Sequence, residues 1–77
     1  MLASARAAPG LLRVTLARNM VKFRLQAGLT QRALAARSGV TQRQISALEA
    51  GKLNATLDTV TVLAQALGVD PRELTRE

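Results

Sequence analysis

The sequence predicts an all-α domain of five short helices. Three observations point there. Apolar residues recur at helical spacing in several segments. Glycines at positions 10, 28, 39, 51 and 68 punctuate those segments, and no stretch sustains an alternation of apolar and polar residues. Helical spacing gives each segment one face to bury. Glycine suits the left-handed residue that closes a helix. With 77 residues the chain is one domain, and a core of that size is only marginally stable.

The elements follow in order. Residues 1–10, MLASARAAPG, are predicted to form a disordered tail, set off by Pro9-Gly10, with residues 11–77 as the folded domain. The first helix spans 11–27, where Leu16, Met20, Phe23 and Ala27 form the buried stripe. Leu29 then enters the core. Thr30 caps a second helix over 31–38 with Leu34 and Ala35 inward. After a tight turn at Gly39-Val40, Thr41 caps a third helix over 42–50, and Gln44 completes a capping box. Ile45 and Leu48 must face the core, which leaves Gln42, Arg43, Ser46 and Ala47 outward. Residues 52–55 read as a loop. Thr56 caps a fourth helix over 57–67, with Leu57, Val60, Leu63, Ala64 and Leu67 as its stripe. Asp70-Pro71-Arg72-Glu73 combines an N-cap, proline at the first helical position and a box acid, and so starts a short fifth helix that buries Leu74.

Composition narrows the chemistry. There is no cysteine and no histidine, so disulfides, thiolate metal sites and the commonest general base are absent. Tyrosine and tryptophan are missing as well. We therefore expect no enzyme, no metal site and no cofactor. Charge is segregated. The first 52 residues carry nine Lys or Arg against one acid, Glu49, whereas the remainder carries two Arg and four acids. A basic surface of this kind attracts polyanions, although charge alone fits an ordinary solvated face equally well. No apolar run approaches the ~20 residues of a membrane span. The helices have core-like stripes rather than a basic face opposite bulky aromatics, which speaks against a membrane-surface role.

The segment LTQRALAARSGVTQRQISALEAGK joins two short helices by a glycine turn and leaves polar side chains on the first exposed turns of the second helix. That arrangement lets the second helix enter a DNA major groove while the first crosses the backbone. The segment resembles the Cro-repressor-type helix-turn-helix family, also called the xenobiotic-response-element family of regulators. The resemblance rests on Leu29-Thr30-Gln31, Leu34-Ala35, Ser38-Gly39-Val40, Ile45-Ser46, Leu48-Glu49 and Gly51-Lys52. Leu57, Leu63-Ala64 and Ala66-Leu67-Gly68-Val69 extend it.

The resemblance implies a compact five-helix, lambda-repressor-like domain that binds double-stranded DNA as a small bacterial or phage transcription regulator in the cytoplasm, on the nucleoid. It implies base-edge contacts from Gln42, Arg43, Ser46 and Ala47, and phosphate contacts from Thr30, Gln31, Lys52 and Asn54. Gln pairs bidentately with adenine and Arg with guanine, and a helix N-terminus favours an anion at Gln31 in any case. The resemblance also places Glu49 beside Arg24 as a scaffold ion pair. Two positions depart from the family pattern: Ala47 stands where many relatives carry a longer polar residue, and Ala55 where many carry proline. One domain reads only a few base pairs, so a homodimer is expected. Its contact is expected from Val62, Ala66 and Val69 together with the fifth helix. The alternative is an antitoxin that binds a toxin partner and autoregulates its operon, because the same fold serves both roles.

Overall fold

A computed structural model describes residues 9–77. Five helices follow one another among these residues: α1 Pro9–Gln26, α2 Gln31–Ser38, α3 Gln42–Glu49, α4 Leu57–Leu67 and α5 Pro71–Thr75. Four begin on the capping residue their local sequence requires. Thr30, Thr41 and Thr56 each accept a hydrogen bond from the backbone N–H three residues on, and Asp70 accepts from the N–H of Arg72. Each cap satisfies an N–H that has no partner inside its helix. The capping box of α3 is complete: the Gln44 N–H donates to Thr41 Oγ1 at 3.1 Å, and the Thr41 N–H donates to Gln44 Oε1 at 3.2 Å.

α1 starts two residues earlier than predicted, so Pro9 and Gly10 are helical. Proline is tolerated in a first turn, because its missing N–H would find no intrahelical partner there. The rest of the predicted tail, residues 1–8, lies outside the described residues.

α1 packs on α3 and α5, α2 on α3 and α4, and α4 on α5. The shared core holds Leu16 and Met20 of α1, Leu34 of α2, Ile45 and Leu48 of α3, and Leu74 of α5. Val60, Leu63, Ala64 and Leu67 enter it from α4, and Val40 from the turn between α2 and α3. Phe23, Leu29, Ala35, Ala66 and Val69 pack against it, half-buried.

Three expectations need correcting. Ala27 is exposed rather than part of the α1 stripe. The helix has already closed there, as the Leu29 N–H bonds to the Arg24 carbonyl and the Gly28 N–H to the Leu25 carbonyl. Leu57, assigned to the α4 stripe, is 86% exposed. A helical side chain covers the turn before its own Cα, so a residue at the first position leans past the end of the helix and away from what the later turns cover. Glu73 does not serve as a box acid for Asp70; it pairs with Arg76 at 3.0 Å, one turn on.

Two buried polar residues, Thr15 and Asn19, sit within the α1 stripe. Asn19 Nδ2 donates to the Leu74 carbonyl at 3.0 Å and to the Arg76 carbonyl at 2.8 Å. This side chain ties the end of α5, whose last carbonyls have no helical partner, to the first helix of the domain.

Candidate nucleic-acid interface

α2 and α3 are separated by Gly39, Val40 and Thr41. Gly39 has φ +78° and donates its N–H to the Ala35 carbonyl at 2.9 Å, which stops α2 and turns the chain. A side chain rarely adopts that φ, so the turn favours glycine. Val40 is buried behind it, and Ser38 Oγ accepts the Val40 N–H at 3.1 Å. The turn is thus held from both sides, and α3 is seated by Ile45 and Leu48, both essentially inaccessible.

With that face fixed inward, Gln42, Arg43 and Ser46 stand exposed and Ala47 half-exposed. Together with Gln31 and Lys52 they line an open recess of about 500 Å³. Six of the eight predicted DNA-facing residues therefore share one surface. The other two do not. Thr30 Oγ1 is engaged in capping α2, and Asn54 lines a separate, smaller depression with Gln44, Leu53 and Thr56. Gln44 Oε1 is engaged in the Thr41 cap.

Behind the recess lies a charged junction. Arg24 Nε donates to Glu49 Oε2 at 2.7 Å and Arg24 Nη2 to Glu49 Oε1 at 3.0 Å, while Arg24 Nη1 donates to the Leu29 carbonyl at 2.8 Å. The side chains are 13% and 6% exposed. The hydrogen bond to Glu49 holds the Arg24 guanidinium above its ordinary pKa, with burial acting in the opposite sense and the opposite charge reinforcing it. The structure thus brings together the two residues that the resemblance pairs.

It also adds a third partner. Gln31 Nε2 donates to Glu49 Oε1 at 3.0 Å. The sequence offered no local sign of this contact, since 18 positions separate the residues. The consequence is a fixed Gln31 side chain at the start of α2. Because Arg24 answers Glu49, the one acid in the first 52 residues, Arg43 and Lys52 leave that face positive. A surface with two exposed cations, amide and hydroxyl side chains, and a helix N-terminus can hold phosphates and present hydrogen-bonding groups to base edges.

The comparisons with known proteins agree with this fold. The HTH_3 helix-turn-helix profile matches residues 21–74. The chain is 48% identical over 56 residues to the uncharacterised HTH-type transcriptional regulator y4dJ of Sinorhizobium fredii, a stretch covering 73% of each chain. Among solved structures, it superposes on the hypothetical transcription factor NHTF from Neisseria with a TM-score of 0.81 and 37% identity, over 84% of this chain and 75% of that one. It superposes on the restriction-modification controller protein C.AhdI from Aeromonas hydrophila with a TM-score of 0.82 and 31% identity, over 87% of this chain and 97% of the controller. The chain belongs to the HTH_3 family of helix-turn-helix proteins, the Cro-type family that its sequence resembles.

Proposed function

We propose that this chain is a sequence-specific double-stranded DNA-binding transcription regulator that inserts the first turns of α3 into the major groove. The observation that carries the reading is the shared recess: Gln42, Arg43, Ser46 and Ala47 stand on one exposed face, flanked by Gln31 and Lys52. Gln42 and Arg43 read base edges, while Gln31, Lys52 and the N-terminus of α2 hold phosphates. Thr30 acts there through its cap, and Asn54 from the following loop reaches backbone only.

The relatives carry the names of transcription factors and of a controller protein, which favours this reading over the antitoxin alternative. Among the described residues no helix is long and apolar enough to cross a membrane. We place the protein on the nucleoid, acting as a homodimer on two half-sites about one DNA turn (10–10.5 bp) apart.

The test is selection of bound duplexes from a random pool, followed by binding of variants to the selected duplex, its single-base variants and random DNA. Arg43→Ala should cost about 1–3 kcal/mol on the selected duplex and relax discrimination at one position. Lys52→Ala should weaken all three alike. An Arg43→Ala chain that loses the same affinity for all three would make Arg43 a phosphate clamp and overturn the base-reading assignment.

A further inference from the structure

α1 carries apolar residues on two opposite sides. Leu16, Met20 and Phe23 face the core. On the far side, Val14, Arg18, Val21 and Leu25 succeed one another at helical spacing, which sets them on one line along the axis. Val14 is 55% and Leu25 62% exposed, and Val21 is half-buried. The line runs for about 17 Å. A helix that is apolar on every side is normally enclosed on every side. Here the core accounts for one side only, and the second apolar line stands in solvent.

Charge says what would cover it. α1 holds four basic residues, Arg13, Arg18, Lys22 and Arg24, and no acid. Arg24 is answered by Glu49. The other three are exposed and take part in none of the ion pairs among the described residues. Arg18 stands within the apolar line. Arg13 and Lys22 lie along its two edges, the Lys22 ammonium 5.2 Å from the centre of the Phe23 ring.

We propose that this face of α1 docks an acidic amphipathic helix of a partner protein. The apolar residues of that helix lie against Val14, Val21 and Leu25, and carboxylates along its flanks meet Arg18 and Lys22. An apolar seam holds two helices together while flanking charges choose the partner.

The same charges disfavour other occupants. A second copy placed by a two-fold rotation would bring Arg18 and Lys22 against their own counterparts. A DNA duplex would answer the cations but set Val14 and Leu25 against phosphates, without apolar contact. The docking face also lies opposite the side of α1 that meets α3, so it is separate from the recess that α3 presents. The inference therefore stands apart from the DNA-binding reading. Three apolar side chains and two ion pairs make less than a standard interface of about 800 Å² on each partner. The dissociation constant should thus be on the order of 10–100 μM, and should rise with salt.

The experiment uses a fluorescent three-heptad peptide with Leu at the a and d positions and Glu at the e and g positions, which repels its own copies, and a twin with Lys in place of those Glu. Each is titrated by anisotropy with the full chain as wild type, Leu25→Gln, Arg18→Glu and Arg43→Ala. The first two substitutions fall on exposed positions, and thermal melts check that every variant folds. The Glu peptide should bind wild type, and the Lys twin at least tenfold more weakly. Leu25→Gln should lose about tenfold. Arg18→Glu should lose at least tenfold for the Glu peptide and gain affinity for the Lys twin, a reversal that a misfolded chain would not produce. Arg43→Ala should bind the Glu peptide as wild type does.

A Glu peptide that fails to bind wild type up to millimolar concentration overturns the proposal. So does binding that survives in Leu25→Gln and Arg18→Glu but is lost in Arg43→Ala, which would make the peptide a polyanion seated in the α3 recess. Wild type that self-associates in sedimentation while Leu25→Gln stays monomeric would assign the face to a second copy. Wild type that floats with phosphatidylglycerol vesicles while Leu25→Gln does not would assign it to a membrane surface. Either result overturns the proposal as well.

Discussion

Glu49→Gln removes one charge and keeps the shape of the side chain, so its cost is set by what the carboxylate accepts. Three hydrogen bonds end on it, two from Arg24 and one from Gln31. An amide has one acceptor oxygen, and its NH2 group would face the guanidinium donors. The variant leaves Arg24, 13% exposed, with its charge unanswered apart from the Leu29 carbonyl. Breaking a buried pair from one side costs about 3–5 kcal/mol. Residual exposure places this one near the lower end. A 77-residue domain has about 4–12 kcal/mol in total, so the loss removes a large share of its stability. At about 4–8 °C per kcal/mol, the melting temperature should fall by at least 12 °C or so. Thermal and urea melts measure it. The double variant Arg24→Met, Glu49→Leu should melt above Glu49→Gln, since no lone charge is left inside. A Glu49→Gln melt within about 4 °C of wild type, or a double variant that melts lower still, would refute the argument.

Four further outcomes are expected. Asn19→Ala leaves the Leu74 carbonyl without its donor and should cost about 1–3 kcal/mol, with faster amide exchange in α5 than in α3. Gly68 has φ +73°, and an added Cβ there would meet nothing within 4 Å, so Gly68→Ala should cost about 1–2 kcal/mol through backbone strain alone and Gly68→Asn less, as read by urea melts. The side chain and backbone N–H of Arg72 hold the Asp70 carboxyl at about 2, below its ordinary 3.8; the small stability this confers is complete above that ordinary value and lost as pH falls through about 2. The melting-temperature gap between wild type and Asp70→Asn should therefore close over that range. Finally, with about six phosphate contacts, log K should fall with log salt at a slope near −5, and Lys52→Ala should make it shallower by about one.

The legible parts of the fold share a physical origin: they are local. Thr30, Thr41, Thr56 and Asp70 cap helices through bonds spanning two or three residues, so the sequence around each is sufficient to place it. The exposed face of α3 follows once Ile45 and Leu48 are turned inward. The tie between Gln31 and Glu49 and the one between Asn19 and Leu74 span 18 and 55 positions, and no nearby pattern encodes them. Asn19 did leave a trace, since it lies three residues after Leu16 and four before Phe23 and so within the buried arc of α1. Leu57 misled for the opposite reason. Its spacing is that of a core residue, but periodicity records a direction around the helix axis and says nothing about where along the axis the neighbouring helices stop.

The bond from Asn19 to the end of α5 has a consequence for the order of events during synthesis. Leu74, wholly inaccessible in the finished domain, is made 55 residues after the asparagine that holds its carbonyl. At about 5–20 residues per second, α1 waits roughly 3–11 s for that partner to be translated. By the later part of that interval the nascent chain already contains the whole of α2, the turn and α3, whose caps are short-range. The polypeptide thus carries its helix-turn-helix segment before the helix that locks α1 in place exists, and closure of the domain waits on α5.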